Sequence, residues 1–136
     1  MARLCEILKM SADGKKAVCI DKVNKKAILA YIYQSDRHRK KFRHIVELIL
    51  GGHKNTELYD KEDINGKAKN VTAMKFFKGQ ENDRIYCKEQ RTTDGLFIIV
   101  TATIYEKKKT NKVSKKEIPI IEKIATYDYQ IEQTRR

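Results

Sequence analysis

Apolar residues recur along this chain with two periods, and the changes of period divide it into elements. Arg3 to Leu8 and Ala17 to Ile20 are short apolar stretches separated by the turn dipeptide Asp13-Gly14. They read as a hairpin or as one edge strand leading into a helix. From about Lys22 the period is helical, with Val23, Ala27, Ile28 and Tyr31 on one face. Ser35-Asp36 offers an N-cap, after which Phe42, Ile45, Val46 and Ile49 repeat at i, i+3, i+4 and i+7. Gly51-Gly52 supplies the residue type that a helix C-terminus favours. Two helices joined by so short a break should pack as a hairpin.

Beyond the polar stretch from His53 to Lys69 the period shortens to two. Val71 to Lys78 reads as a strand. Asp83 to Lys88 follows, with Arg84, Tyr86 and Lys88 on one face and Ile85 and Cys87 on the other. Thr92-Thr93-Asp94-Gly95 supplies a hairpin turn, and Leu96 to Tyr105, rich in β-branched and aromatic residues, reads as a buried central strand. Ile120, Ile124, Tyr127 and Ile131 return to helical spacing, with Lys115 and Lys116 ahead of Pro119. The expectation is one α+β domain over residues 1–136. Its order is an N-terminal β element or extension in residues 1–20, two helices, three antiparallel strands and a C-terminal helix.

Composition narrows the partner. The chain's 136 residues suffice for one core, and a hydrophobic share of 40% is that of a folding sequence. Thirty Lys and Arg against 18 Asp and Glu leave a net charge of +12. Self-repulsion of that size works against compaction and points to a polyanionic partner: nucleic acid, an anionic membrane or an acidic protein. The longest uncharged run, Gly95 to Tyr105, is about half a membrane span. Glu6 and Lys9 interrupt any apolar leader core. Cys5, Cys19 and Cys87 are scattered and lack CxxC spacing, which indicates neither a disulfide framework nor a metal site. The expectation is a cytoplasmic chain with no metal, no cofactor and no membrane partner.

Two basic runs stand out. Arg37-His38-Arg39-Lys40-Lys41, with Arg43 and His44, lies on the exposed side of the second helix. Lys107-Lys108-Lys109, then Lys112, Lys115 and Lys116, leaves the end of the long strand. Either run can place several cations near phosphates, and the helical one also reads as a solvated face.

The order and spacing of Lys75-Phe76-Phe77-Lys78, Arg84-Ile85-Tyr86-Cys87, Ile98 to Tyr105, Lys108-Lys109-Thr110-Asn111-Lys112 and Lys115-Lys116-Glu117-Ile118 carry a resemblance. Over roughly Asp21 to Tyr129 the chain resembles the RelE/HigB/ParE superfamily of bacterial toxins from toxin–antitoxin pairs. The resemblance implies a RelE-like β-α-α-β-β-β core with an antiparallel sheet and a C-terminal helix. It also implies a metal-independent endoribonuclease that cuts messenger RNA, ribosome-associated and held inactive by a cognate antitoxin. Such cleavage needs a base for the ribose 2′-OH, cations for the pentavalent phosphate and an acid for the leaving oxygen.

Matched to that pattern, Lys75 occupies the first basic strand position and Arg84 that of the arginine gripping the scissile phosphate. Lys108, or Lys109 if the register slips by one, takes the basic position after the last strand. Those three form the implied catalytic set, and Lys78, Tyr86, Lys107, Lys109 and Lys112 the implied RNA contacts. Phe77 departs from the pattern by standing where a second lysine is usual, with Lys78 beside it as a substitute. The tyrosine that some members carry beyond the basic run has no counterpart, since that stretch reads Val113-Ser114.

Blander roles remain open: surface ion pairs for Lys75, Lys78 and Arg84, and a half-buried packing position for Tyr86. His38, His44 and His53 could shuttle protons, but the first two lie on a helix facing away from the strand site. A ParE-like toxin acting on DNA gyrase and a non-catalytic RNA-binding domain are the alternative functions. Asp94 with Glu106-Lys107-Lys108 mimics a metal-nuclease pattern, although Asp94 already has a place in an Asp-Gly turn.

Overall fold

The computed structural model describes residues 2–62, 64–77, 80–106 and 115–132. Strands β1 (Ala2–Met10) and β2 (Lys16–Asp21) form an antiparallel hairpin. Gly14 turns it with a left-handed φ of 73°, a conformation glycine adopts without steric cost. Helices α1 (Lys25–Ile32) and α2 (Asp36–Leu50) follow, and the Ser35 hydroxyl caps α2 by accepting from the His38 N–H at 3.1 Å. Then come β3 (Tyr59–Lys61), β4 (Val71–Phe76), β5 (Asp83–Arg91), β6 (Phe97–Tyr105), α3 (Glu117–Ala125) and β7 (Asp128–Ile131).

The strands make one seven-stranded sheet in the order β3-β4-β5-β6-β2-β1-β7. The helix pair and the β4–β5–β6 meander stand where the hydrophobic periods put them, but the apolar face of α1 differs from the expected one. Val23 precedes the helix and is exposed, Ala27 is exposed, and Ile28, Tyr31 and Ile32 form the buried side. The RelE-like antiparallel sheet closed by a C-terminal helix is not what forms: the sheet is larger and mixed, with β2 parallel to β6 and β1 parallel to β7. Residues 1–20 form the hairpin that the Asp13-Gly14 turn suggested, and it is an integral part of the sheet rather than an extension. β2 lies in the sheet interior, and Ala17 to Asp21 are all buried. A strand covered on both faces reads as a continuous apolar run, which a short edge strand imitates.

The end of the chain departs in the same way. α3 stops at Ala125, and the residues after it form β7 rather than further helical turns. Tyr127, Tyr129 and Ile131 also alternate with period two, so the helical spacing had a competitor. Pairing with β1, which sets Tyr129 beside Arg3, decides the outcome.

The sheet separates two cores. α1 and α2 pack Ile28, Ile32, Ile45 and Ile49 against Val18, Ile20, Met74, Phe76 and Ile85. On the other face α3 packs Ile121 and Ile124 against Cys19, Ala73, Tyr86 and Val100. Among the described residues no helix is long and apolar enough to cross a membrane.

Candidate functional site

Alternation along β5 sends Asp83, Ile85 and Cys87 towards the helix pair, and Arg84, Tyr86 and Lys88 towards α3. Lys75 on β4 is the direct partner of Arg84, and Arg84 in turn is the partner of Tyr105 on β6. Residues directly opposed on neighbouring strands share a face, so Lys75, Arg84 and Tyr105 form one row across the end of the sheet. Lys75 and Tyr105 are half-buried.

Arg84 itself is enclosed. Its guanidinium donates to Glu62 Oε1 at 2.9 Å, and the two side chains are only 6% and 8% exposed. Glu62 is set there by the end of β3, where its N–H donates to the Val71 carbonyl at 2.9 Å. A phosphate reaches Arg84 in this arrangement only by displacing that carboxylate. Tyr86 is fully buried and donates its hydroxyl to Glu117 on α3, so its ring offers no face to a base. Burial, followed by the bond to Glu117, raises the Tyr86 phenol well above its ordinary value. Lys88 completes this face by donating to the Ala125 carbonyl at 2.5 Å, and burial lowers its ammonium pKa. The polar side of β5 thus ties down α3 and the segment after β3.

Lys75 remains accessible and reaches the Thr56 carbonyl at 3.1 Å. The structure therefore brings Lys75 and Arg84 together and turns Tyr86 inward. Lys78, Lys107, Lys108, Lys109 and Lys112 lie outside the described residues. Sequence reasoning missed Glu62, which sits in a polar stretch with no periodic signal, and passed over Tyr105 as a packing residue. With Glu62 included, the row holds a carboxylate, a guanidinium and an ammonium group, the group types that proton abstraction, anion stabilisation and proton donation use. The metal-nuclease pattern is pulled apart: Asp94 and Glu106 sit at opposite ends of β6, more than about 25 Å apart along the strand.

A second locus lies on the other side of the molecule. α2 holds Lys40 and Arg43 exposed and Lys41 half-exposed. None of the three makes an ion pair among the described residues, whereas Arg37 pairs with Glu81 and Arg39 with Asp36. Beside them runs a groove of about 320 Å³ between β1, α1 and α2, lined by Leu8, Lys9, Tyr33, Arg39, Phe42 and Arg43. Tyr33 stands 64% exposed at the end of α1. His38 points away from this face and is buried, while His44 and His53 are exposed. No family model, curated protein or solved structure matches the chain.

Proposed function

We propose that the protein binds single-stranded RNA across α2 and the groove beside it. The observation that carries this reading is Tyr33, an exposed aromatic ring set next to a groove lined by Lys9, Arg39 and Arg43. The accessible face of the ring gives an unstacked base a flat apolar surface to cover. Unstacked bases on aromatic rings with cations along the backbone are how sequence-tolerant single-strand binders work. The net charge of +12 supplies the long-range attraction.

Anisotropy titration of a labelled RNA oligonucleotide over a range of salt concentrations tests it. Replacing Lys40, Lys41 and Arg43 together by alanine should flatten the log–log salt slope by about 0.7 for each phosphate that is no longer neutralised. Tyr33→Ala should weaken binding by roughly 1–3 kcal/mol. Duplex DNA of equal length should respond to the lysine changes but not to Tyr33→Ala. Unchanged RNA affinity and slope in both variants would remove the reading.

Cleavage is a second reading with its own observation, the Lys75–Arg84 cross-strand pair with Glu62 held at 2.9 Å from the guanidinium. In that reading Glu62 takes the 2′-OH proton, Arg84 turns from Glu62 to the phosphate, and Lys75 protonates the leaving oxygen. It retains the role that the resemblance implies, a toxin cutting messages until an antitoxin restrains it. Glu62→Gln should then stop growth arrest on induction and stop the appearance of new transcript ends. Arrest and cleavage that persist in Glu62→Gln would exclude this chemistry.

A further inference from the structure

The described residues hold one more cluster of chemically versatile side chains, at the end of the sheet opposite to Asp94 and on the face turned away from Arg84. Three elements meet there. His38 comes from the first turn of α2, Asp83 from the first position of β5, and Glu81 from the turn between β4 and β5. That turn is shaped by two non-glycine residues with left-handed backbones, Phe77 at φ 53° and Asn82 at φ 56°. Such conformations cost of order 1 kcal/mol or more each and persist where the surroundings demand them.

Each of the three side chains is held by a neighbour. The Ser35 hydroxyl bonds His38 Nδ1 at 2.7 Å, which directs Nε2 towards Glu81 Oε2 at 3.9 Å. Arg37 holds the other Glu81 oxygen, Oε1, at 3.0 Å while its guanidinium stacks over the Phe77 ring. Tyr31 donates to Asp83 Oδ2 at 2.8 Å from a buried position. One ligand atom from each of His38, Glu81 and Asp83 lies within 4.8 Å of the others. A histidine bonded through one ring nitrogen so that the other faces a ligand, beside carboxylates that are themselves hydrogen-bonded, is the supporting shell a metal site requires.

We infer that His38, Glu81 and Asp83 form a binding site for a divalent transition ion of the zinc type. One imidazole nitrogen and two carboxylate oxygens are a borderline-to-hard donor set that suits such an ion and leaves a fourth position open. At metal–ligand distances near 2.0–2.2 Å, tetrahedral ligands stand roughly 3.3 Å apart, so the cluster must close by about an ångström. Glu81, whose side chain is 45% exposed, makes that movement together with the Arg37 guanidinium that holds its other oxygen. The bound ion ties the start of α2 to the β4–β5 turn. It lies across the sheet from Arg84 and Lys75 and takes no part in chemistry at that row.

The test uses the full chain freed of metal by dialysis against chelator and titrated calorimetrically with zinc alone, then with cobalt as a spectroscopic probe. One zinc per chain should bind, and cobalt should develop the visible absorption of a four-coordinate N/O site. Glu81→Gln, an exposed change that leaves the fold intact, should weaken zinc by about tenfold or more. His44→Gln and His53→Gln should leave it unchanged. His38→Gln should abolish the cobalt absorption, with a thermal melt to verify folding. Zinc should also raise the melting temperature of the parent more than that of Glu81→Gln, because an ion that binds only the folded state stabilises it. Absence of zinc binding in the parent, or equal affinity in parent and Glu81→Gln, overturns the site. So does loss of binding in His44→Gln or His53→Gln.

Discussion

The Arg84–Glu62 pair shows how far the identity of a residue can be read without its neighbour. The face that Arg84 occupies on β5 follows from the alternation around it, and so does its company of Tyr86 and Lys88. What alternation does not give is Glu62, some twenty positions upstream in a polar stretch, whose carboxylate fixes the guanidinium at 2.9 Å. That partner changes the meaning of an alanine substitution. Removing one member of a buried ion pair strands the other charge, which costs about 3–5 kcal/mol, whereas replacing both by apolar residues of similar volume is often neutral or stabilising. Arg84→Ala should therefore lower the melting temperature sharply, and loss of activity in that variant alone would say nothing about chemistry. Arg84→Met combined with Glu62→Leu should recover the parent's stability, measured by urea unfolding. If that refolded double variant still cuts RNA, the row is structural only. Lys75→Ala, at a half-exposed position, should alter stability by no more than about 0.5 kcal/mol, so a cleavage defect there reports on the reaction itself.

Elements with local signals were legible, and elements that exist through distant pairing were not. α2 announces itself by its apolar repeat and by Ser35, whose hydroxyl accepts the His38 N–H. β4, β5 and β6 follow one another through turns marked in the sequence. β3 is three residues long and is held by Met74, Ala73 and Thr72 of β4, so nothing local distinguishes it from loop. β7 takes its register from β1 at the far end of the chain, and its Ile131 fitted the helical repeat of Ile120, Ile124 and Tyr127 equally well. The Ser35 cap carries a further consequence because it serves two groups: the α2 backbone and the His38 ring, at 2.7 Å. Ser35→Ala should cost about 1 kcal/mol in urea unfolding through the lost cap. The same change should loosen zinc binding through His38, whereas Ser35→Asp, which keeps a capping acceptor, should restore stability. A Ser35→Ala protein as stable as its parent would mean that the cap is satisfied by water and contributes little.

At the scale of the whole molecule, the net charge of +12 was legible in the sequence, but the joining of the sheet was not. β2–β6 and β1–β7 are parallel pairings across long stretches of chain, and only the three-dimensional packing decides between them and an antiparallel sheet. The finished sheet buries an unusual number of weakly acidic groups, and this has a consequence at high pH. Burial raises the phenols of Tyr31, Tyr59, Tyr86 and Tyr129 and the thiol of Cys87, while a bond to Cys5 together with burial raises Cys19. The ordinary values are 10.0 for the phenols and 9.0 for the thiols. Above those values the unfolded chain releases protons that the folded chain keeps. The folded state then binds more protons, and stability falls as pH rises. Each such group removes up to about 1.4 kcal/mol per pH unit once its unfolded counterpart is ionised, so the loss of stability steepens above pH 10 as the groups act together. Lys88 acts in the opposite sense, because burial lowers its pKa, but it is one group against six and its contribution ends near 10.5. A domain of ordinary stability, about 5–15 kcal/mol, should accordingly unfold cooperatively within about two units above pH 10. Circular dichroism and tyrosinate absorbance, followed together from pH 8 upwards, check this. The phenols of Tyr31, Tyr86 and Tyr129, which are buried, and of Tyr59, which is half-buried, should ionise in the same narrow interval in which the fold is lost. Smooth ionisation of all seven tyrosines with the dichroism intact would show that these side chains are open to solvent, and with it that α3 does not seal Tyr86 nor β7 seal Tyr129.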